Sequence, residues 1–410
     1  MPIQPEGSRW PPAADVWENA LQRGRAAPFA VYVHVPFCSV RCGYCDFNTY
    51  TTGFGAGADL ETYAQSVLTE IEISQGRLGA AAAQISTVFF GGGTPTLLEV
   101  SSLKKILDGL KNTFGILPGA EITVEANPET LNAARVQELA DMGATRISVG
   151  MQSADPGVLS VLDRTHRPHL VPHVVQWARD AGVQVSVDLI YGAPGETLGQ
   201  WETSLQAALA MAPDHVSAYS LVVEQGTKLA GRISRGELEM PDEDLSAEKY
   251  VLADRALASA GYRWYEISNF AKELPGEESA PATQLSNASK HNLAYWKDWN
   301  WWGYGPGAHS HWGDLRWWNV KHPRAYAGRV TLEESPAFAW EHLGAQTREL
   351  ERLMLGIRTA EGIPERAGLV GVESLLTSGL LERAAGHLVP TLRGRLMADF
   401  VTRTLAGWED

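Results

Sequence analysis

Short apolar runs alternate with amphipathic stretches through the first half of this chain. Residues 30–35 (AVYVHV), 86–90 (STVFF), 121–125, 146–150, 184–190 and 215–221 are rich in β-branched residues and predict strands. Between them, 60–74, 99–114, 131–142, a region within 156–182, and 198–211 place apolar residues at helical spacing. Gly143 follows the third of these helices as a C-terminal cap, and another glycine closes the helical region within 156–182. Six strands alternating with helices imply a parallel sheet. Doubly wound and barrel arrangements both fit. The barrel is favoured because candidate polar residues recur at strand C-termini: Gly91, Gly92, Gly93 and Thr94, then Glu125, Gln152 and Asp188.

The alternation stops near 225. Residues 272–289 are polar and loop-like, 291–318 are dense in aromatics, and 347–405 predict helices with a hairpin near 380–390. The expected organisation is a flexible leader over 1–28, a core over 29–225, a connecting region over 226–335 and a helical, winged-helix-like module over 336–410. The fold class expected is α/β: a partial (β/α)6 barrel with a smaller C-terminal α+β region.

Composition narrows the chemistry. A chain of 410 residues, 44% apolar and 20% charged, reads as globular and multidomain. A net charge of −14 argues against a nucleic-acid partner. The first residues lack the apolar core of a secretory signal, and no later run is long enough to span a bilayer. A cytoplasmic location is expected, with peripheral membrane contact left open. The three cysteines all lie between 38 and 45. A disulfide scaffold needs an even, dispersed set, so clustered thiols point to metal ligation or redox chemistry. The segment Tyr32-Val-His-Val-Pro-Phe-Cys38-Ser-Val-Arg-Cys42-Gly-Tyr-Cys45 offers three thiolates to an iron–sulfur cubane, leaving one iron open. A zinc site with His34 as fourth ligand is the alternative.

CxxxCxxC after a first strand resembles the signature of the radical S-adenosylmethionine (SAM) superfamily. Further segments resemble its HemN-like, coproporphyrinogen-dehydrogenase branch: Gly91-Gly-Gly-Thr-Pro-Thr96, Glu125-Ala-Asn-Pro128, Val149-Gly-Met-Gln152 and Asp188-Leu-Ile-Tyr-Gly-Ala-Pro-Gly-Glu-Thr197. The resemblance runs over about residues 30–400. It implies a [4Fe–4S] cluster on Cys38, Cys42 and Cys45. It implies SAM contacts from Tyr32, Tyr44, Gly92, Gly93, Thr94, Glu125, Gln152, Arg164 and Asp188. In that branch SAM chelates the open iron and is cleaved to a 5′-deoxyadenosyl radical.

Two types within the branch compete. The dehydrogenase decarboxylates two propionates of coproporphyrinogen III, carries CxxxCxxCxC and has a longer N-terminal extension. Here the position two after Cys45 is Phe47, and 31 residues precede Tyr32. Those departures resemble the HemW type of haem chaperone, as does HNxxYW, present as His291-Asn292-Leu-Ala-Tyr295-Trp296. This resemblance implies bound haem and haem-accepting partner proteins, with SAM cleavage left open and no catalytic residue assigned. Seven of the 14 Trp lie between 296 and 318, offering apolar area to a flat macrocycle, or simply a core. His291 is the candidate haem ligand, with His309 and His311 behind it. The anaerobic coproporphyrinogen III dehydrogenase is the second reading, and a radical SAM enzyme of unrelated substrate the third.

Overall fold

The computed structural model describes residues 6–51 and 59–408; the first five residues of the expected leader lie outside them. Six strands run parallel in chain order: β1 (Phe29–Val35), β2 (Ile85–Gly92), β3 (Ile116–Ala126), β4 (Arg146–Gln152), β5 (Gln184–Tyr191) and β6 (His215–Ser220). Helices cover the outer face. In Val100–Phe114, for example, Val100, Leu103, Ile106, Leu107 and Leu110 are buried as one stripe. Gly143 closes Ala133–Met142 with φ 112°, its N–H reaching Ala140 and Leu139 carbonyls, as the sequence predicts.

The two faces of the strands carry different chemistry. Val124, Ile147, Val149, Met151, Val187, Leu189, Val216 and Ala218 point one way, into the apolar core. Their neighbours at period two point the other way and line an internal cleft: Thr123 and Glu125, Arg146, Ser148 and Gln152, Ser186 and Asp188, His215 and Ser217. A parallel sheet buried on both faces is usually apolar throughout. This one keeps a polar inner face, which marks it as a binding surface.

The strands do not close on themselves. Beyond β6 lies the antiparallel hairpin of Asn269–Lys272 and Tyr262–Glu266. Beyond β1 lies β7 (Asn300–Tyr304), parallel to β1, and then the antiparallel β8 (His309–Trp312), β9 (Leu315–Asn319) and β10 (Ala337–His342). Among the described residues the open six-stranded barrel is therefore part of one 13-stranded sheet. The sheet crosses the expected boundaries at 225 and 335, so the connecting region shares the core of the barrel. The C-terminal module has its own core of Leu353, Ile357, Leu375, Leu388, Val401 and Leu405. Its hairpin pairs Leu381–Ala384 with His387–Pro390.

The expected flexible leader is a correction. Ala14–Gly24 is a helix whose Trp17 is buried, and Ser8–Arg9 pairs with β10. Trp17 meets Trp317 at 5.5 Å and Trp302 at 6.4 Å, and Trp302 meets Trp317 at 4.8 Å, all steeply inclined. Apolar positions spaced over so short a helix are diluted by Pro and charge in the sequence. The aromatic partners that hold it lie about 300 residues away.

One buried carboxylate ties the second half to the first. Glu70, on Leu60–Leu78, accepts from Gly305 N at 2.8 Å, Asn319 Nδ2 at 2.8 Å and Tyr326 OH at 2.6 Å. Burial pushes its carboxyl up to about 7 from 4.5. The folded state thus holds this proton more tightly than the unfolded chain. The contribution is fully present below about pH 4.5 and is lost as pH rises through about 7. We expect Glu70→Gln to gain stability relative to the parent between pH 5 and 8, read from denaturant midpoints at both pH values. A difference that stays constant with pH would show that Glu70 does not titrate in this range.

Candidate cluster and cofactor site

The cleft opens at the C-terminal ends of the strands and encloses about 410 Å3. The cysteine loop leaves β1 at this end. Phe37–Cys38 forms a short parallel bridge with Tyr50–Thr51. Two backbone bonds dock the loop on the glycine-rich turn after β2: Gly93 N to Val35 O and Thr94 N to Phe37 O, both 2.7 Å. A Cβ on Gly93 would stand 2.5 Å from the Phe37 carbonyl oxygen, so only glycine permits this contact.

The three thiols face one wall of the cleft. Burial, then the neighbouring Cys45, pushes the Cys38 thiol up to about 11, and burial also raises Cys45. Such thiols stay protonated until a metal displaces the proton. Arg164 supplies the compensating charge: its Nη1 donates to Cys42 Sγ at 3.5 Å and its Nη2 to Gly150 O at 2.9 Å. The donor set, three thiols beside one buried guanidinium, fits a cubane better than zinc. The zinc alternative needs His34, and both of its ring nitrogens are engaged: Nδ1 with Tyr32 OH and Nε2 with Asn48 O, each at 3.0 Å.

The remaining wall is polar and acidic. Glu125 Oε2 accepts from Gly92 N at 3.0 Å, and burial, with Asp188 nearby, pushes its carboxyl up to about 7. Asp188 accepts from Ser148 Oγ at 2.8 Å and Ser186 Oγ at 3.3 Å; burial raises it too. Two desolvated acids favour a cationic or hydroxyl-rich occupant. Gln152 ends β4 with φ 62°, where the register with β5 slips, and this turns its side chain onto the cleft wall. Tyr44 packs with Val158, Leu162 and Ile190 and presents a ring surface beside Cys42. The glycine turn, the acids, Tyr44, Gln152 and Arg164 fit a molecule with an amino-acid end, a sugar and a flat base, which is the make-up of SAM.

Of the residues expected to touch SAM, Tyr44, Gly92, Gly93, Thr94, Glu125, Gln152, Arg164 and Asp188 line this one cavity with the three cysteines. Tyr32 stands behind the wall, stacked on Phe89 with its hydroxyl on His34. His291 is a correction. It is 1% exposed, its Nδ1 bonds Thr87 Oγ1 at 2.8 Å and its Nε2 bonds Tyr295 OH at 3.0 Å. Burial holds it down to about 3. It is a neutral, fully satisfied core histidine, and neither nitrogen is free for iron. His311 is likewise buried, bonded to Asp298 at 3.0 Å and stacked on Trp301 at 4.6 Å. His309 is exposed and stacks on Trp318 at 5.7 Å.

The deep end of the cleft was not anticipated. Arg146, Ser186, His215 and Ser217 line it, and Arg146 pairs with Glu121 at 3.4 Å while donating to the Asn287 and Ala288 carbonyls. The signal was present as a polar residue at every second strand position.

Comparison with known proteins follows the same lines. Residues 32–208 match the radical SAM superfamily model. A Mycobacterium tuberculosis protein named heme chaperone HemW is 44% identical over 385 residues, covering 93% of this chain and 95% of that protein. A Bacillus subtilis protein of the same name is 30% identical over 394 residues, covering 92% and 99%. The Escherichia coli coproporphyrinogen III oxidase HemN, a radical SAM enzyme, shares the fold. Its TM-score is 0.80 at 20% identity, over 98% of this chain and 95% of that one.

Single replacements Cys38→Ala, Cys42→Ala and Cys45→Ala should each abolish the broad brown absorbance that appears on anaerobic reconstitution with iron and sulfide. Full absorbance retained by any one would remove that cysteine from the ligand set.

Proposed function

The chain belongs to the HemW family of radical SAM proteins, and from that premise we propose that it is a haem chaperone, binding haem and passing it to haem-requiring proteins. What supports this most is likeness to proteins of that name along nearly the whole chain, not within the barrel alone. The dehydrogenase shares the fold, but a fold does not fix a function. At the position of the dehydrogenase's fourth cysteine, this chain has Phe47, 57% exposed at the cleft opening.

In this reading Cys38, Cys42 and Cys45 hold a [4Fe–4S] cluster, which with SAM supplies one-electron chemistry. The protein's own part is placement. Gly92 and Gly93 admit the ligand close to the backbone. Glu125, the acid nearest the glycine turn, accepts from amino or ribose hydroxyl groups, and Asp188 and Gln152 complete the polar wall. Arg164 offsets the charge of the thiolates. Tyr44 offers its ring to the adenine. Tyr32 acts through His34 and Asn48, holding the end of the cysteine loop.

Haem and haem-accepting proteins are the partners in this reading. Among the described residues no helix is long and apolar enough to cross a membrane. We place the protein in the cytoplasm, where reduced thiols persist, with peripheral membrane contact compatible. The alternative is the coproporphyrinogen III dehydrogenase.

The full chain, reconstituted anaerobically, should bind haem saturably in an absorbance titration. With SAM and a reductant it should leave coproporphyrinogen III undecarboxylated. Robust decarboxylation without haem retention would return the protein to the dehydrogenase reading.

A further inference from the structure

Most of the aromatic segment is packed away from any haem-sized ligand. Trp302, Tyr304, Trp312, Trp317 and Trp318 are at most 5% exposed and belong to the packed interior. Their rings meet one another and the leader helix; His291 is hydrogen-bonded at both ring nitrogens, and His311 is buried with its Nε2 on Asp298. A chaperone for a flat apolar macrocycle needs an accessible apolar surface elsewhere.

The opening of the cleft supplies one. Sixteen large apolar residues are exposed among the described residues, and four of them line this single opening: Val40 (50%), Phe47 (57%), Tyr219 (42%) and Val222 (63%). Exposed apolar residues scattered singly are normal, but a group around one cavity marks a ligand site. Val40 and Phe47 belong to the cysteine loop after β1. Tyr219 and Val222 come from the end of β6 and the turn that follows. These are the first and last, in chain order, of the six strands that build the cleft.

We propose that Val40, Phe47, Tyr219 and Val222 form the seat on which haem docks, lying across the mouth of the cleft over the cysteine loop. The proposal rests on the haem-chaperone reading and gives its cargo a place. The macrocycle buries these side chains, and the tyrosine and phenylalanine rings suit its flat face. Arg41 lies under Phe47, its Nη2 donating to the Cys45 carbonyl at 3.2 Å and the Phe47 carbonyl at 3.5 Å. It is the one cation of this loop, and it supplies positive charge at the base of the opening. Asp46 and Glu224 line the same opening and repel a propionate, which orients the ligand toward Arg41. A haem seated here closes the route by which SAM enters and leaves. Loading of haem and exchange of SAM are thereby coupled.

The test uses the reconstituted full chain and a double variant, Phe47→Asp with Val222→Asp, both at exposed positions. Leu332→Asp, an equally exposed apolar residue outside the opening, is the control. A charge placed under an apolar ring should raise the haem Kd at least ~10-fold in the double variant and leave the control unchanged. The milder Phe47→Ala, Val222→Ala pair should give a smaller loss in the same direction. Circular dichroism and cluster absorbance should match the parent in all three. In the parent, bound haem should slow the release of radiolabelled SAM; in the double variant it should not. Equal haem affinity across the variants, or SAM release indifferent to haem, would overturn the seat. A parent that binds no haem would instead overturn the chaperone reading itself.

Discussion

The arrangement depends on β1 having no free edge. It is hydrogen-bonded to β2 on one side and to β7 on the other, so its end, where the cysteine loop begins, is held from both directions. The loop is then pinned downstream. Asn48 donates to the carbonyls of Pro306 and Lys321 and gives its own carbonyl to His34. Tyr63 OH takes the His34 carbonyl at 2.7 Å. A loop meant to present three thiols in a fixed arrangement cannot rely on its own short-range contacts. Here the rest of the chain fixes it.

The cleft gathers groups that are each costly to bury, among them the carboxyls of Glu125 and Asp188, the thiols of Cys38 and Cys45 and the guanidiniums of Arg146 and Arg164. Desolvation raises Glu125, Asp188, Cys38 and Cys45. Burial thus disfavours the charged forms of these acids and thiols before ligands bind, while Arg164 keeps its positive charge beside them. Deprotonated thiols and a sulfonium-bearing ligand repay each other's desolvation, so metal and cofactor binding should reinforce one another. His291 is excluded as a ligand on another ground: both of its ring nitrogens are already hydrogen-bonded, to Thr87 and Tyr295.

Much of this was legible in the sequence, for identifiable reasons. The parallel strands, the helix stops at Gly143 and Gly182 and the cysteine motif are local signals, and spacing exposes them. Eight of the nine expected SAM contacts meet in one cavity: six lie on the parallel strands or in the turn just after one, Tyr44 on the cysteine loop and Arg164 beyond a short helix. What spacing could not show was long-range. Trp17 looks like part of a loose leader until Trp302 and Trp317 are placed against it. His291 looks like a ligand until Thr87 and Tyr295 occupy it. Phe47 reads only as a missing cysteine until its exposure at the cleft opening gives it a surface role.

The β1–β7 pairing also sets an order of events. About 265 residues separate β1 from its partner strand, and Asn48 waits for carbonyls at 306 and 321. Such non-local contacts form late, because a long chain segment must be ordered before they repay its entropy. During synthesis the cysteine loop emerges early and stays unclamped until nearly four-fifths of the chain has been made. Until then a nascent chain exposes three thiols without the clamp that orders their loop, and iron–sulfur loading becomes a late step that waits for the strand at Asn300–Tyr304 and the carbonyls beyond it.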